Sequence, residues 1–226
     1  MISTDVSLAT GGGKLLRETV YAQLRADMIS CSLTPGTEIR ETELAARFQV
    51  SKSPVRDALM RLEREGLVIT SPRQGYRVAP VSLIDVLDMF HLRAALERAC
   101  VQRIIQYASE EQLSQLSSFR TFQPEDWSGS FLAYNRTFHH RLAHLGGNAR
   151  MRDHLIDLID QMERAVQISL SSVRKGDPEP LVHEHCDIID ALQSKNIKRA
   201  QRLVEHHVAA AGKRVTEALS RTAITA

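Results

Sequence analysis

Apolar residues recur every four positions through Leu16, Val20, Leu24 and Met28. That stripe predicts an amphipathic helix from residue 15 to about residue 30. Pro35 and Gly36, in "SLTPGTEI", break it. A short second helix over residues 41–48 puts Leu44, Ala45 and Phe48 on one face. Ser51 then offers an N-cap, and Pro54 falls in the first turn of a third helix, where its missing N–H costs least. The third helix runs through Glu65 with Val55, Ala58, Leu59 and Leu62 inward, and Gly66 ends it. Lys52, Ser53, Arg56 and Met60 are left facing outward. Two β-prone runs, 67–70 and 76–79, flank a turn over 71–75 and predict a hairpin with Arg73 at its tip.

From Ser82 onward no alternating pattern remains. "SLIDVLDMFHLRAALERACVQRIIQYA" reads as one long helix. Ser109 and Gln112 form a capping-box start to another, through about Phe122. "QPEDWSGS" is a loop before a helix over 129–145. "GGN" ends that helix, and others follow at 149–172, 180–194 and 196–220. The fold class is therefore mostly α: three helices and a hairpin, then an antiparallel helical bundle of six or seven helices. Residues 1–12 read as a disordered lead-in, 13–80 as a first domain and 82–221 as a second.

Composition changes this picture little. The 226 residues are 43% hydrophobic, 25% charged and 5% aromatic, which suits a soluble, helix-rich protein. No apolar run approaches the length of a membrane span, and no secretory signal is evident. Cys31, Cys100 and Cys186 are scattered, with no CxxC, which excludes a disulfide framework or thiolate zinc site and implies a reducing, cytoplasmic setting. All nine histidines lie beyond residue 80.

A short helix, a turn, a second helix with a basic outer face and a hairpin in that order describe a winged helix-turn-helix. Lys52, Ser53 and Arg56 then face the DNA, and Arg73 on the wing suits a phosphate or minor-groove contact, with Gly75 allowing close approach. "TEIRETELAARFQVSKSPVRDALMRLEREGLVITSPRQGYRVAPVS" resembles the DNA-binding domain of the GntR family of bacterial transcription regulators. The resemblance adds Thr42 to the DNA-contacting positions. Relatives more often carry Arg at Thr42 and at Lys52, and Lys keeps the charge but loses bidentate reading of guanine.

The histidines of the second domain divide by helical phase. Phe131, Asn135, Phe138, Leu142 and Leu145 share a stripe with His139 at its flank. His185 aligns with Ile188, Ile189 and Leu192, and His207 with Ala200, Leu203, Val204 and Ala211. Arg136, His140, His144 and His206 fall on other faces. Periodicity therefore selects Asn135, His139, His185 and His207 as the inward polar set. Separate core histidines and a converged metal site both remain open on spacing alone.

"LRAALERACVQRII", "YNRTFHHRLAHLGGNARM", "EHCDIIDAL" and "AQRLVEHHV" resemble the FCD-type effector domain of the FadR branch of GntR regulators. That resemblance implies a divalent transition metal, zinc first with nickel or manganese as alternatives, held near an organic-acid effector by Asn135, His139, His185 and His207. Asn135 stands where such domains carry Asp, so the ligand set brings no charge. The resemblance makes Arg93 the effector's carboxylate partner; an ion pair with Glu97 at i+4 is the competing reading.

The expectation is a cytoplasmic homodimeric transcription regulator, a repressor by family habit, that binds operator DNA and a small carboxylate, has no membrane partner and is not an enzyme. A hydrolase built on the three histidines is the rival, against which no Asp or Glu lies on their inward stripes. Glu184 neighbours His185 but points about a quarter-turn away. A helical domain that only dimerises is the third reading.

Overall fold

A computed structural model describes residues 8–71, 75–127, 130–172 and 178–224. The chain divides into two compact units, Met1–Val81 and Ser82–Ala226. In the first, helix α1 spans Leu8–Ile29 and buries Val20, Leu24 and Met28. It begins earlier than the expected lead-in allows, taking in the glycines at 11–13. Extending a helix already nucleated by buried turns is far cheaper than starting one, which offsets the poor propensity of glycine. Leu16, expected inward, is 48% exposed. Its packing partner α3 is Lys52–Arg64, 13 residues against the 22 of α1, so the longer helix outruns the shorter.

Helix α2, Glu41–Phe48, ends on Gln49 in the left-handed region. Ser51 takes the N-cap conformation of α3, yet its side chain makes no capping bond. Val55, Ala58, Leu59 and Leu62 are buried, as their spacing predicts. Strands β1 (Glu38–Ile39), β2 (Val68–Ser71) and β3 (Gly75–Val78) form an antiparallel sheet in the order β1-β3-β2. Strand β1 was not legible, since two residues show no period. Its presence reassigns Gly75. A Cβ there would stand 2.9 Å from the carbonyl oxygen of Ile39, at a φ of +95°. Glycine is thus required by the neighbouring strand, before any DNA is considered. Arg73 lies outside the described residues.

The second unit opens with helix α4, Leu83–Tyr107, capped by the Ser82 hydroxyl, which accepts from the amide of Asp85. Ser109 and Gln112 form both halves of the expected capping box. Helix α5 is nonetheless only Glu110–Ser114, followed by 3-10 turns at Gln115–Phe119 and Pro124–Trp127. The hydroxyls of Ser114 and Ser118 donate to carbonyls three residues back, a local competition that disfavours a continuous helix. Phe119 is buried by this turn, against Tyr134 and Phe138. Helices α6 (Phe131–Leu145), α7 (Ala149–Ser172), α8 (Glu179–Gln193) and α9 (Ile197–Ile224) complete the bundle.

Helix α4 runs along α9 and also packs on α6 and α7, while α8 leans on α9. The core between them holds Val101, Ile104, Phe138, Leu142, Ile188 and Val204. Arg103 fastens α4 to the end of α6 by donating from Nε to the carbonyl of Gly146 at 2.8 Å. A Cβ on Gly146 would lie 2.5 Å from Cys100 Sγ, so the Cys100 side chain fills the space that any side chain at 146 would need. Among the described residues no disulfide joins the three cysteines, and no helix is long and apolar enough to cross a membrane.

Gly66 and Gly75 separate two glycine effects. Both have positive φ, but a Cβ at Gly66 meets nothing within 4 Å. Gly66→Ala is expected to cost about 1 kcal/mol, the left-handed penalty alone. Gly75→Ala adds the clash with Ile39 and is expected to cost at least about 2 kcal/mol. Urea unfolding of the full chain, each variant beside wild type, tests the order; equal losses would refute the clash.

Candidate functional site

Helix α4 supplies the foundation of the site. Val86, Phe90, Arg93, Glu97, Cys100, Val101 and Ile104 are its buried residues, and the spacing of three and four carries two charges into the core. Arg93 is 2% exposed and Glu97 is fully buried. Isolated, either would be very costly there. Arg93 Nε donates to Glu97 Oε1 at 2.6 Å, and His139 Nδ1 donates to Glu97 Oε2 at 3.0 Å. Burial pulls the Glu97 carboxyl upward, but His139 and Arg93 overcome it and hold it at about 2. Burial, reinforced by Arg93 and resisted by Glu97, presses His139 down to about 3. Glu97 is therefore the anion and His139 a neutral ring.

The other two imidazoles are held alike. Tyr134 Oη donates to the carbonyl of Phe119 at 2.7 Å, so it accepts from His185 Nδ1 at 3.1 Å. His207 Nδ1 donates to Glu184 Oε2 at 2.6 Å. Burial and the neighbouring His207 and His139 keep His185 well below its usual range. With every Nδ1 committed as donor, the tautomer of each ring follows from its network. Each Nε2 then carries a lone pair.

Those lone pairs converge. His139, His185 and His207 place one ligating atom each within 4.8 Å of the others. The Nε2 atoms of His139 and His207 are 3.2 Å apart, a distance that two bare acceptors do not keep and that calls for a proton or a metal ion between them. Two nitrogens on one tetrahedral zinc are about 3.3 Å apart, from the usual Zn–N length. His185 Nε2 is buried with no hydrogen-bond partner. An orphaned imidazole nitrogen beside two others facing it fits a metal and suits nothing apolar. The donor set therefore fits a divalent ion of the zinc kind, with outer carboxylates on two of the three rings.

Asn135, half-buried, lies one helical turn before His139 and lines a small cavity with Arg93, Ser169, His207 and Arg214. The ion pair between Arg93 and Glu97 is present; Arg93 also lines the cavity, and its Nη2 is buried without a hydrogen-bond partner. Sequence spacing missed three contributors. Tyr134 is wholly buried, although it precedes Phe138 by one turn. Glu97 sits on the buried stripe of α4, a helix without a ligand. Glu184, placed a quarter-turn away by phase, reaches His207 rather than His185. The histidines' own inward stripes carry no Asp or Glu, but Glu97 and Glu184 reach two of the rings from outside those stripes. A larger cleft, with Arg120 and Cys186 in its lining, shares no residue with this cavity. Arg120 there is paired to Asp190 and Gln193.

The histidines assigned to other faces find other work. His140 Nε2 and the Arg136 guanidinium both donate to Asp160, at 2.9 Å and at 2.7 and 2.8 Å. In the first unit, Thr42, Lys52, Ser53 and Arg56 are all exposed. Arg56 is held by Glu41 through two bonds, Nε at 3.0 Å and Nη2 at 2.8 Å. That carboxylate, unforeseen from sequence, fixes the guanidinium on the outer face of α3.

The protein-family model described as the FCD domain matches residues 88–210, and that of the bacterial regulatory proteins of the gntR family matches 16–78. The HTH-type transcriptional repressor RspR of Escherichia coli K12 is 28% identical over 197 residues, covering 85% of this chain and 86% of that one. The HTH-type transcriptional regulator BphR of Paraburkholderia xenovorans is 30% identical over 204 residues, covering 85% and 82%. In fold, a GntR-type regulator from Rhodococcus sp. RHA1 superposes with a TM-score of 0.71 at 21% identity, over 88% of this chain and 96% of that chain.

Asp160 offers an acid-stability test. Burial would raise its carboxyl, but His140 and Arg136 bring it from 3.8 down to about 2. A carboxyl depressed on folding stabilises above its unfolded value and loses that contribution as pH falls through the folded one. Asp160→Asn is thus expected to lose about 1–2 kcal/mol at pH 6. Its deficit against wild type should shrink between pH 4 and pH 2, as read by denaturant titration. A deficit independent of pH would refute the assignment.

Proposed function

The chain belongs to the gntR family of bacterial regulatory proteins and carries an FCD domain, and we propose that it is a repressor whose helical domain binds a small carboxylate at a divalent metal. One observation carries this reading: three buried imidazoles, each with Nδ1 committed, turn their Nε2 lone pairs on one point. His139, His185 and His207 would hold the ion, with Asn135 beside them. Bound there, the metal would supply a Lewis-acidic anchor for an anionic oxygen. Arg93 would receive the same ligand's carboxylate through its unpartnered Nη2.

The remaining residues set what such a site does. Glu97 and Glu184 orient His139 and His207 and raise their basicity, and Tyr134 does the same for His185 more weakly. Both glutamates are engaged by imidazole N–H groups, so neither is a free general base, and the relatives compared above are regulators. Asn135 contributes no charge, so metal and anion favour each other's binding. By linkage, whatever the anion does to metal affinity the metal does to anion affinity.

In the first unit, Lys52, Ser53, Arg56 and Thr42 present the operator-reading face, with Arg73 a further DNA contact. Two such heads in a homodimer would meet half-sites one or more helical turns apart. The ligand regulates only by preferring one arrangement of those heads.

Metal content by plasma mass spectrometry, on untagged protein purified without chelator, is the direct test. Wild type is expected to carry close to one equivalent and His185→Ala to carry almost none. Absence of metal from wild type, with no uptake from added zinc, nickel or manganese, would leave a helical domain that only dimerises. For the other unit, Lys52→Ala is expected to weaken operator binding and lower the slope of log K against log salt by about one. An unchanged slope, measured by fluorescence anisotropy, would remove Lys52 from the phosphate contacts.

A further inference from the structure

We propose that the ligand of the cavity beside the three histidines is a compact dicarboxylate, a dianion whose second carboxylate is received by Arg214. This rests on the metal-and-carboxylate reading above and narrows it. Two guanidiniums, Arg93 from α4 and Arg214 from α9, line the same cavity. Each is joined through one glutamate to a different imidazole. Arg93 bonds Glu97, which bonds His139. Arg214 Nη1 stands 3.6 Å from Glu184 Oε1, and Glu184 bonds His207.

Charge counting then fixes the ligand's valence. Arg93 cancels Glu97, and Arg214 cancels Glu184. Imidazoles that ligate a metal through Nε2 are neutral, and Asn135 adds nothing. A divalent ion therefore leaves the assembly at two positive charges. An unbalanced charge in a partly desolvated cavity is costly, and the balancing species is a dianion. A monocarboxylate would leave one positive charge unanswered.

The geometry agrees with the count. Arg93 Nη2 is buried and unpartnered, ready for one carboxylate. Arg214 is about one-third exposed, and its 3.6 Å approach to Glu184 is longer than a good hydrogen bond. It can turn toward a second carboxylate without breaking a strong contact. Phe131, Val166, Leu170 and Leu181 supply apolar walls, suited to the short carbon chain between the two ends. The cavity's own volume is only about 30 Å³, so its walls must part to admit a ligand and the carbon chain between the two carboxylates must be short.

The test is calorimetric titration of zinc-loaded full-length protein with acetate and propionate, then with malonate, succinate and glutarate. At least one dicarboxylate is expected to bind about tenfold or more tighter than either monocarboxylate, the effect of one added charged hydrogen-bonding contact. Arg214→Gln should remove that advantage by weakening dicarboxylates several-fold more than monocarboxylates. Asn135→Asp, which adds one negative charge beside the metal, should narrow the gap from the other side. If both variants fail to fold, the wild-type ratio still decides. Equal affinity for the two classes in wild type would overturn the dicarboxylate assignment and leave the metal-carboxylate reading standing. Zinc-loaded protein that binds neither class would overturn both.

Discussion

The Glu97 carboxylate, buried to the last square ångström, is the constraint from which the helical unit is best understood. A lone carboxylate at that depth would take up a proton or unfold its surroundings. It stays ionised because Arg93 and His139 reach it from two sides. Meeting that demand brings α6 to α4 in one register only, since a shift of one residue would turn His139 away. Arg103 on the Gly146 carbonyl and the contact between Gly146 and Cys100 hold the same register at the helix's end. Apolar packing alone would tolerate neighbouring registers more easily.

Once His139 is fixed, its Nε2 has one direction. The other two rings meet it there, oriented by Glu184 and by the Tyr134 hydroxyl. The site is built outward from its supports: acceptors set the tautomers, tautomers set the lone pairs, and the lone pairs leave a place for a cation. The DNA-reading unit repeats the logic at the surface, where Glu41 grips Arg56 in a fork and limits how its guanidinium can point. That grip is solvent-screened and easily exchanged for a phosphate or base edge, whereas Glu97 has no water to exchange with.

Much of this was legible in the chain. The stripe of Val55, Ala58, Leu59 and Leu62 gave α3 and its outward face, and helical phase alone chose His139, His185 and His207 out of nine histidines. What escaped it shares a physical cause. Phase says which way a residue leaves its own helix, not what it meets. Glu97 lies on a helix with no ligand, so a search along the histidine helices passes it by. Glu184 leaves α8 at an angle that looks wrong until α9 is placed beside it. Strand β1 is too short to have a period, and the helix expected through residue 122 is undone by serine hydroxyls turning back on their own carbonyls. Charged residues on an otherwise apolar stripe, as at Arg93 and Glu97, were the one available signal of what lay beneath.

The Tyr134 hydroxyl has a reach that its position does not suggest. It hangs from the carbonyl of Phe119, in an irregular turn that contains none of the three histidines. The angle of His185 is thereby delegated to a stretch of chain that selection on the binding residues never sees. Relatives could keep all three histidines unchanged and still drift in how tightly they hold an ion, through substitutions that reshape residues 115–119. A census of ligands would call such proteins equivalent; the turn would tell them apart.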